Sequence, residues 1–236
     1  MWEVVDSGQV AVQEAMDRDL QLLHSMEPTG TPIFHSYDFL GDSATFGYFI
    51  KPFTLLNEEG VAKRQLSLGK RATGGGIIFH LCDLAFSIIL PKSHEGYMDS
   101  VIDSYKYINA IVAEAVTQFV GKDLQLLGEK VAPKDSACGH FCMANPTIYD
   151  VLVDGKKVAG SAMRRLKNAL LYQGSITLSV PPADFLEDVL LPNTEVASSM
   201  KANSYPLLGE DCTSRQLQDA KNALRDGLQY GSKGLV

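Results

Sequence analysis

The sequence has few of the features that mark membrane and nucleic-acid-binding proteins. Its longest apolar stretches, such as Leu84–Leu90, are far too short to span a bilayer. Lysine and arginine are scarce, since 21 of them face 28 aspartates and glutamates and leave a formal net charge of -7. A broad surface for phosphate backbones needs clustered cations. We therefore expect neither nucleic acid nor a membrane among the partners.

The chain is also poor in cysteine, with four residues, and it begins without the pattern of a signal peptide. Glu3 and Asp6 interrupt any apolar core at the N-terminus, and no cationic segment precedes one. Without an export signal, the cysteines are expected to be free thiols rather than a disulfide framework. A cytoplasmic location is the corresponding expectation. The cysteines are Cys82, Cys138, Cys142 and Cys212.

Three segments carry apolar residues at helical spacing, within an ordinary globular composition of 45% hydrophobic and 21% charged residues. The first runs from about Val10 to Leu23. The second starts after a cap at Asp99 or Ser100 and ends at Gly121. The third starts at a Thr213 capping box and is expected to end at Gly231.

Strands are expected in groups between these helices. Short extended runs occur near Pro32–Ser36, Ala44–Ile50 and Leu171–Val180. Asp154-Gly155 predicts a tight hairpin, because both central positions of such a turn accept positive φ. This layering is α+β. We expect a catalytic domain over residues 1–185, with residues 186–236 as a short C-terminal helical extension of it.

A triple-glycine segment is the first candidate for chemistry. Gly74, Gly75 and Gly76 would let the backbone approach a ligand closely and turn its N–H groups towards an anion. Lys70 and Arg71, just before them, would add charge for a phosphate or a carboxylate. The alternative is a surface loop between two strands, and the residues alone leave both open.

The strand after the hairpin is the second candidate. Neighbouring strand residues face opposite sides, so only one of Lys156 and Lys157 points inwards. The small residues Gly160, Ser161 and Ala162 would leave room for a ligand, beside which an ammonium would stabilise an oxyanion. Exposed charge is the alternative.

A third candidate is the Cys138-Gly139-His140-Phe141-Cys142 segment. If it is extended, His140 and Cys142 share a face, where the imidazole could activate the thiol. An inert, buried cysteine is the commoner outcome. The spacing lacks the Cys-x-x-Cys pattern of zinc sites, and we expect no structural metal.

Together these motifs resemble those of the lipoate-protein ligase A and octanoyltransferase family, which shares its catalytic fold with biotin-protein ligases. An Arg-x-Thr-Gly-Gly-Gly run with a later histidine, a Gly-Lys-Lys-Val-x-Gly-Ser-Ala run and a Gln-Gly-Ser strand start all occur in the family's order over residues 6–180. The resemblance implies a mixed, largely antiparallel sheet flanked by helices. It also implies an acyl or acyl-adenylate site formed by Arg71, Thr73, Gly74, Gly75, Gly76, His80, Gly160, Ser161 and Ala162, with Lys157 as a catalytic residue.

Two routes to a lipoylated or octanoylated lysine follow from the resemblance. In the ligase route, which we favour narrowly on the sequence, ATP and magnesium activate lipoate or octanoate as an acyl adenylate. In the transferase route, acyl carrier protein delivers an octanoyl group, Cys142 forms a thioester, and Lys157 stabilises its thiolate. Cys142, Pro146 and Tyr149 fit the cysteine segment of that branch. The expected acceptors are lipoyl domains of 2-oxoacid dehydrogenase complexes and the glycine-cleavage H protein.

Two further classes are weaker alternatives. A binding protein that has lost catalysis would be free to lose Lys157 and the glycines, and this chain keeps them. A biotin ligase would carry a Gly-Arg-Gly-Arg loop, and this chain does not.

Overall fold

A computed structural model describes residues 2–122, 124–128, 136–144 and 146–234. The elements in chain order are β1 (Glu3–Val10), α1 (Val12–Ser25), β2 (Ile33–Phe39), β3 (Ser43–Phe46), α2 (Glu58–Lys63), β4 (Ser67–Lys70), β5 (Ile77–His80), β6 (Asp83–Pro91), α3 (Val101–Val120), β7 (Gln125–Leu126), β8 (Val151–Val153), β9 (Lys156–Arg165), β10 (Ala169–Thr177), α4 (Ala183–Val189), α5 (Val196–Asn203) and α6 (Ser214–Gly234). Short 3-10 turns occur at Pro52–Thr54 and Cys138–His140.

The strands form two sheets. The larger has seven described strands in the order β1-β2-β6-β10-β9-β8-β7. Its β1–β2 pair is parallel and its other pairs are antiparallel. The smaller sheet has the order β4-β3-β5. The predicted α+β fold with a mixed, largely antiparallel sheet is therefore confirmed.

The large sheet is buried on both faces, because alternate residues of its central strands enter different clusters. Leu84, Phe86 and Ile88 of β6 pack with α3 and α6 on one face. Ala85 and Ile89 pack on the opposite face, which α1 covers. A further cluster joins the small sheet to α2, α4 and α5.

The predicted helices begin where their caps indicate. Ser100 Oγ accepts a hydrogen bond from the Asp103 N–H at 3.3 Å, and α3 ends at Gly121, whose φ is 65°. Thr213 and Gln216 form the predicted capping box at the start of α6. The predicted end at Gly231 is wrong, because α6 continues to Gly234. None of the described helices combines the length and apolarity needed to cross a bilayer.

The strand boundaries differ from the prediction. β3 ends at Phe46 instead of Ile50, because the chain turns at Gly47 to follow the glycine segment, with the Gly47 N–H bonded to Gly76 O at 3.2 Å. The last strand is Ala169–Thr177 instead of Leu171–Val180. The hairpin is as predicted, with φ of 51° at Asp154 and 76° at Gly155.

Helix α6 packs into the main core, although it lies in the segment expected as an extension. Ala220, Leu224 and Leu228 are buried beside residues of the large sheet and α3.

We predict that Leu224→Ala lowers the free energy of unfolding by about 2–5 kcal/mol, because it leaves a cavity in the core formed by α6, α3 and the large sheet. Denaturant unfolding should show one transition. Leu40→Ala is the control, since Leu40 is 53% exposed and its loss should cost no more than about 0.5 kcal/mol. A separate unfolding transition for the C-terminal segment would contradict a single domain.

Candidate active site

The Arg71 guanidinium fixes the glycine segment by hydrogen bonds to its backbone carbonyls. One guanidinium nitrogen, Nη2, donates to Gly74 O at 3.2 Å and Gly76 O at 2.7 Å. The other, Nη1, donates to Thr45 O at 3.1 Å and Thr45 Oγ1 at 2.7 Å. Arg71 is buried, and these three carbonyl oxygens and one hydroxyl accept from its two terminal guanidinium nitrogens. The sequence suggested a cation for a phosphate or carboxylate ligand, whereas here the guanidinium fixes the loop.

The loop conformation depends on glycine at two positions. Gly75 has a φ of 86°, which an L side chain rarely adopts. At Gly76, a Cβ would lie 2.1 Å from His140 O, so the residue allows the two backbones to touch. The Cys142 N–H then donates to Ile77 O at 3.1 Å. This close approach fixes the segment that carries Cys142 beside the glycines.

Cys142 faces the glycine loop and Arg71. A Cβ placed on Gly75 would lie 3.8 Å from Cys142 Sγ and 3.2 Å from Arg71 Nη2. Burial lowers the pKa of the Arg71 guanidinium, while its charge interaction and hydrogen bond with Cys142 act in the opposite direction. The thiol is partly exposed. The Arg71 guanidinium is thus a hydrogen-bond and charge partner of Cys142, and a neighbouring cation stabilises a thiolate.

Lys157 is the inward-facing lysine of the hairpin, with 2% exposure, whereas Lys156 is exposed. Its ammonium lies 2.6 Å from Asp150 Oδ2 and donates to Cys142 O at 2.8 Å. At Gly160, a Cβ would lie 2.3 Å from Lys157 Cε and 2.5 Å from Nζ. The space predicted for a ligand beside Gly160 is thus filled by the end of the lysine itself.

Asp150 positions this ammonium, and the sequence motifs did not identify it. Its Oδ2 accepts from the Thr147 N–H at 2.7 Å and its Oδ1 accepts from the Tyr105 hydroxyl at 2.9 Å. Burial, together with the Asp150 charge, raises the pKa of Tyr105, which therefore acts as a donor. The only signal in the sequence was the position of Asp150 directly after Tyr149, before an apolar strand.

A cavity of about 490 Å³ connects these groups. Such a volume is typical of small-ligand sites. Its polar part contains the glycines, Cys142, Lys157 and Ser161, whose buried Oγ has no hydrogen-bond partner in the described part of the chain. Its apolar part contains Val101, Ile102, Tyr105, Phe141, Ile148, Ala162 and Met163. A chain-like apolar ligand with a polar, reactive end matches this division.

Two residues of the predicted site lie behind the cavity. Thr73 is buried, and its hydroxyl donates to Gln173 Oε1 at 2.7 Å. The His80 ring hydrogen-bonds Thr45 Oγ1 and Asp83 Oδ2, each at 2.7 Å. Thr73 thus connects the glycine loop to β10 of the large sheet, whereas His80 connects β3 and β5 of the small sheet to β6 of the large one.

Two further expectations differ from the structure. Cys138–His140 is a 3-10 turn and not an extended segment. Among the described residues, the His140 ring makes no hydrogen bond with Cys142. Lys70 is exposed and lies over the Tyr48 ring at 4.3 Å, away from the cavity lining. No group of three His, Cys, Asp or Glu side chains among the described residues is arranged to hold a metal ion.

Comparisons with known proteins identify relatives of this chain over most of its length. The family model described as the lipoyl protein ligase A/B catalytic domain matches residues 11–207. The octanoyltransferase LipM of Halalkalibacterium halodurans is 29% identical over an alignment of length 240, which covers 98% of this chain and 86% of that protein. The octanoyltransferase LipM of Bacillus subtilis is 28% identical, with the same coverage of 98% and 86%.

Solved structures give the same fold. A lipoate-protein ligase A bound with ATP has a TM-score of 0.72 at 19% identity, covering 98% of this chain and 85% of its own. An archaeal bipartite lipoate protein ligase from Thermoplasma acidophilum has a TM-score of 0.72 at 21% identity, covering 99% and 84%. These likenesses confirm the fold expected from the motifs.

We predict that Asp150→Ala destabilises the protein by about 3–5 kcal/mol, because it leaves the Lys157 ammonium buried without its carboxylate. Denaturant unfolding measures the change. Glu210→Ala is the matched control, since it breaks the exposed Lys201–Glu210 pair at 3.3 Å, which is worth no more than about 1 kcal/mol. Equal costs for the two variants would contradict a buried ion pair at the site.

Proposed function

Because the chain belongs to the lipoyl protein ligase A/B catalytic domain family, we propose that it transfers an octanoyl group from acyl carrier protein to a lysine of a lipoyl domain, through a thioester on Cys142. The observation that carries this proposal is the position of the Cys142 thiol. It lines the 490 Å³ cavity between the glycine loop and Lys157, with the Arg71 guanidinium against it.

In the first half-reaction, the Cys142 thiolate attacks the carbonyl carbon of the octanoyl thioester. The carbon–sulfur bond to the carrier breaks, and the carrier thiolate leaves and takes up a proton. Arg71 stabilises the attacking thiolate. Developing charge on the carbonyl oxygen would face the glycine loop, where the N–H groups of Gly74 and Gly75 donate to no acceptor among the described residues.

In the second half-reaction, the neutral amine of the acceptor lysine attacks the Cys142 thioester. An amide bond forms, the amine loses a proton, and the Cys142 thiolate leaves. The Lys157 ammonium is fixed by Asp150 and by the Cys142 carbonyl, so it meets the reacting centre in one orientation. A preorganised cation of this kind stabilises a tetrahedral oxyanion without reorganising during the reaction.

The apolar part of the cavity suits an eight-carbon chain. Burying its seven methylene and methyl groups would contribute on the order of 5 kcal/mol, at about 0.8 kcal/mol for each. Val101, Ile102 and Ile148 are exposed in the free protein yet line this cavity. An acyl chain would cover them.

The side chains that line the cavity favour this route over the adenylate route. A magnesium-bound triphosphate needs several cations together with carboxylates for the metal. Among the described residues, the cavity beside Cys142 is lined by one ammonium, which Asp150 already pairs. A second cavity of about 490 Å³ is lined by one lysine and by the carboxylates of Asp83, Glu187, Glu210 and Asp211. These residues do not fit a triphosphate, and we propose no step through ATP.

We predict that octanoyl carrier protein, without ATP, gives an octanoyl adduct on Cys142 that intact-mass and peptide mass spectrometry detect. Cys142→Ala should remove the adduct and the transfer. Cys82→Ala is the control, since burial raises the pKa of Cys82 to about 11 and keeps it a thiol at neutral pH. Full lipoylation by the Cys142→Ala variant with ATP and lipoate would instead establish the adenylate route.

We predict that Lys157→Met lowers the rate of transfer by at least about 100-fold, because a fixed oxyanion donor is lost. The matched control is Lys156→Met, which changes the neighbouring exposed lysine and should leave the rate unchanged. Circular dichroism and denaturant unfolding would establish that both variants are folded at the assay temperature. Wild-type rates in folded Lys157→Met would remove the lysine from the mechanism.

A further inference from the structure

A patch of exposed and partly exposed aromatic and basic side chains lies beside the glycine loop. We define the rim patch as Tyr48, Phe49, Lys70 and Arg164. Phe49 is 87% exposed and Tyr48 is 49% exposed, and their rings meet edge to face at 5.1 Å. Lys70 Nζ lies 4.3 Å from the centre of the Tyr48 ring, and the Arg164 guanidinium carbon lies 6.0 Å from it. The four side chains therefore form one surface.

The backbone connects the rim patch to the proposed site. The Tyr48 N–H donates to Thr73 O at 2.9 Å, directly before the glycines. Arg164 Nη1 donates to Ala72 O at 3.3 Å. Arg164 also follows Ala162 and Met163, which line the cavity. A molecule bound to the rim patch would thus lie at the side of the cavity that the glycine loop forms.

The charge of the rim patch is opposite to that of the whole chain. The net charge is -7, and cations such as Lys63, Lys122, Lys201 and Arg215 lie within 4.0 Å of carboxylates. In the described ranges, no carboxylate lies within that distance of Lys70 or Arg164. Lys106 lies on a second side of the cavity, 5.7 Å from the Tyr149 ring, and it also has no such partner there. These unpaired cations lie outside the cavity lining, beside the glycine loop and beside Tyr149, and cations in such positions attract an acidic partner.

We propose that the rim patch binds the acidic carrier protein that donates the acyl group, an inference that rests on the proposed function. The donor carries its acyl chain on an arm that joins the protein through a phosphate. That phosphate would sit at the opening, where Lys70 and Arg164 supply cations, and Phe49 would pack against the carrier. The acceptor lysine instead reacts as a neutral amine and brings no phosphate to the opening, so these cations have no counterpart on its reacting group. Charge complementarity therefore favours the donor over the acceptor.

Binding can be measured without turnover. The probe is carrier protein with an octanoyl group joined to its arm by an amide in place of the thioester, titrated calorimetrically into the full chain. We expect Lys70→Glu to weaken binding by about tenfold at low salt, and less at high salt. Phe49→Ala should weaken it by at least about fivefold. Both side chains are largely exposed, so the variants should fold normally.

The matched controls are Arg215→Glu and Tyr230→Ala, since Arg215 is an exposed cation and Tyr230 is a 70% exposed aromatic residue, both on α6. Wild-type affinity in these two variants, with weaker binding in the rim variants, would support the proposal. Unchanged carrier binding in the rim variants, or weakened binding of an unmodified lipoyl domain in its place, would overturn it. A missing Cys142 adduct would refute the proposed chemistry and leave these affinities informative.

Discussion

The site depends on one buried interaction, the contact of the Lys157 ammonium with the Asp150 carboxylate and the Cys142 carbonyl. It joins the segment that carries Cys142 to the hairpin of β8 and β9, since Asp150 directly precedes β8 and Lys157 lies at the start of β9. A buried ammonium without such partners would be costly. The ion pair therefore fixes the loop that bears the thiol as firmly as it fixes the lysine.

A second cation acts on the other side of the thiol. Arg71 is held by four hydrogen bonds to the backbone and hydroxyl groups of Thr45 and the glycine segment, and it also contacts Cys142. The two cations are thus fixed to different elements, Arg71 to the small sheet and Lys157 to the large sheet. This division assigns thiolate stabilisation to Arg71 in our proposal. Lys157 is then free to act on the acyl carbonyl.

The local structure followed from the sequence, and the assembly of the site did not. Apolar spacing and caps located α3 and the start of α6, and Asp154-Gly155 located the hairpin, because each signal acts within a few residues. The position of Cys142 depends on contact between Gly76 and His140, far apart in sequence. The partner of Lys157 was missed for a different reason, although it lies only seven residues earlier in the sequence. An aspartate before a strand has no periodic signature, and only the folded chain brings it to the ammonium.

Gly76 and Gly160, one from each motif, have structural roles that the spacing of the motifs did not predict. Small residues near a candidate lysine suggested open space for a ligand, yet the missing side chain of Gly160 accommodates Lys157 itself. The missing side chain of Gly76 similarly admits the backbone of the Cys142 loop. Each glycine thus makes room for another part of the protein, and the space left for substrate lies farther along β9, beside Ser161, Ala162 and Met163. Substitutions at these two glycines would act on catalytic geometry before they acted on substrate fit.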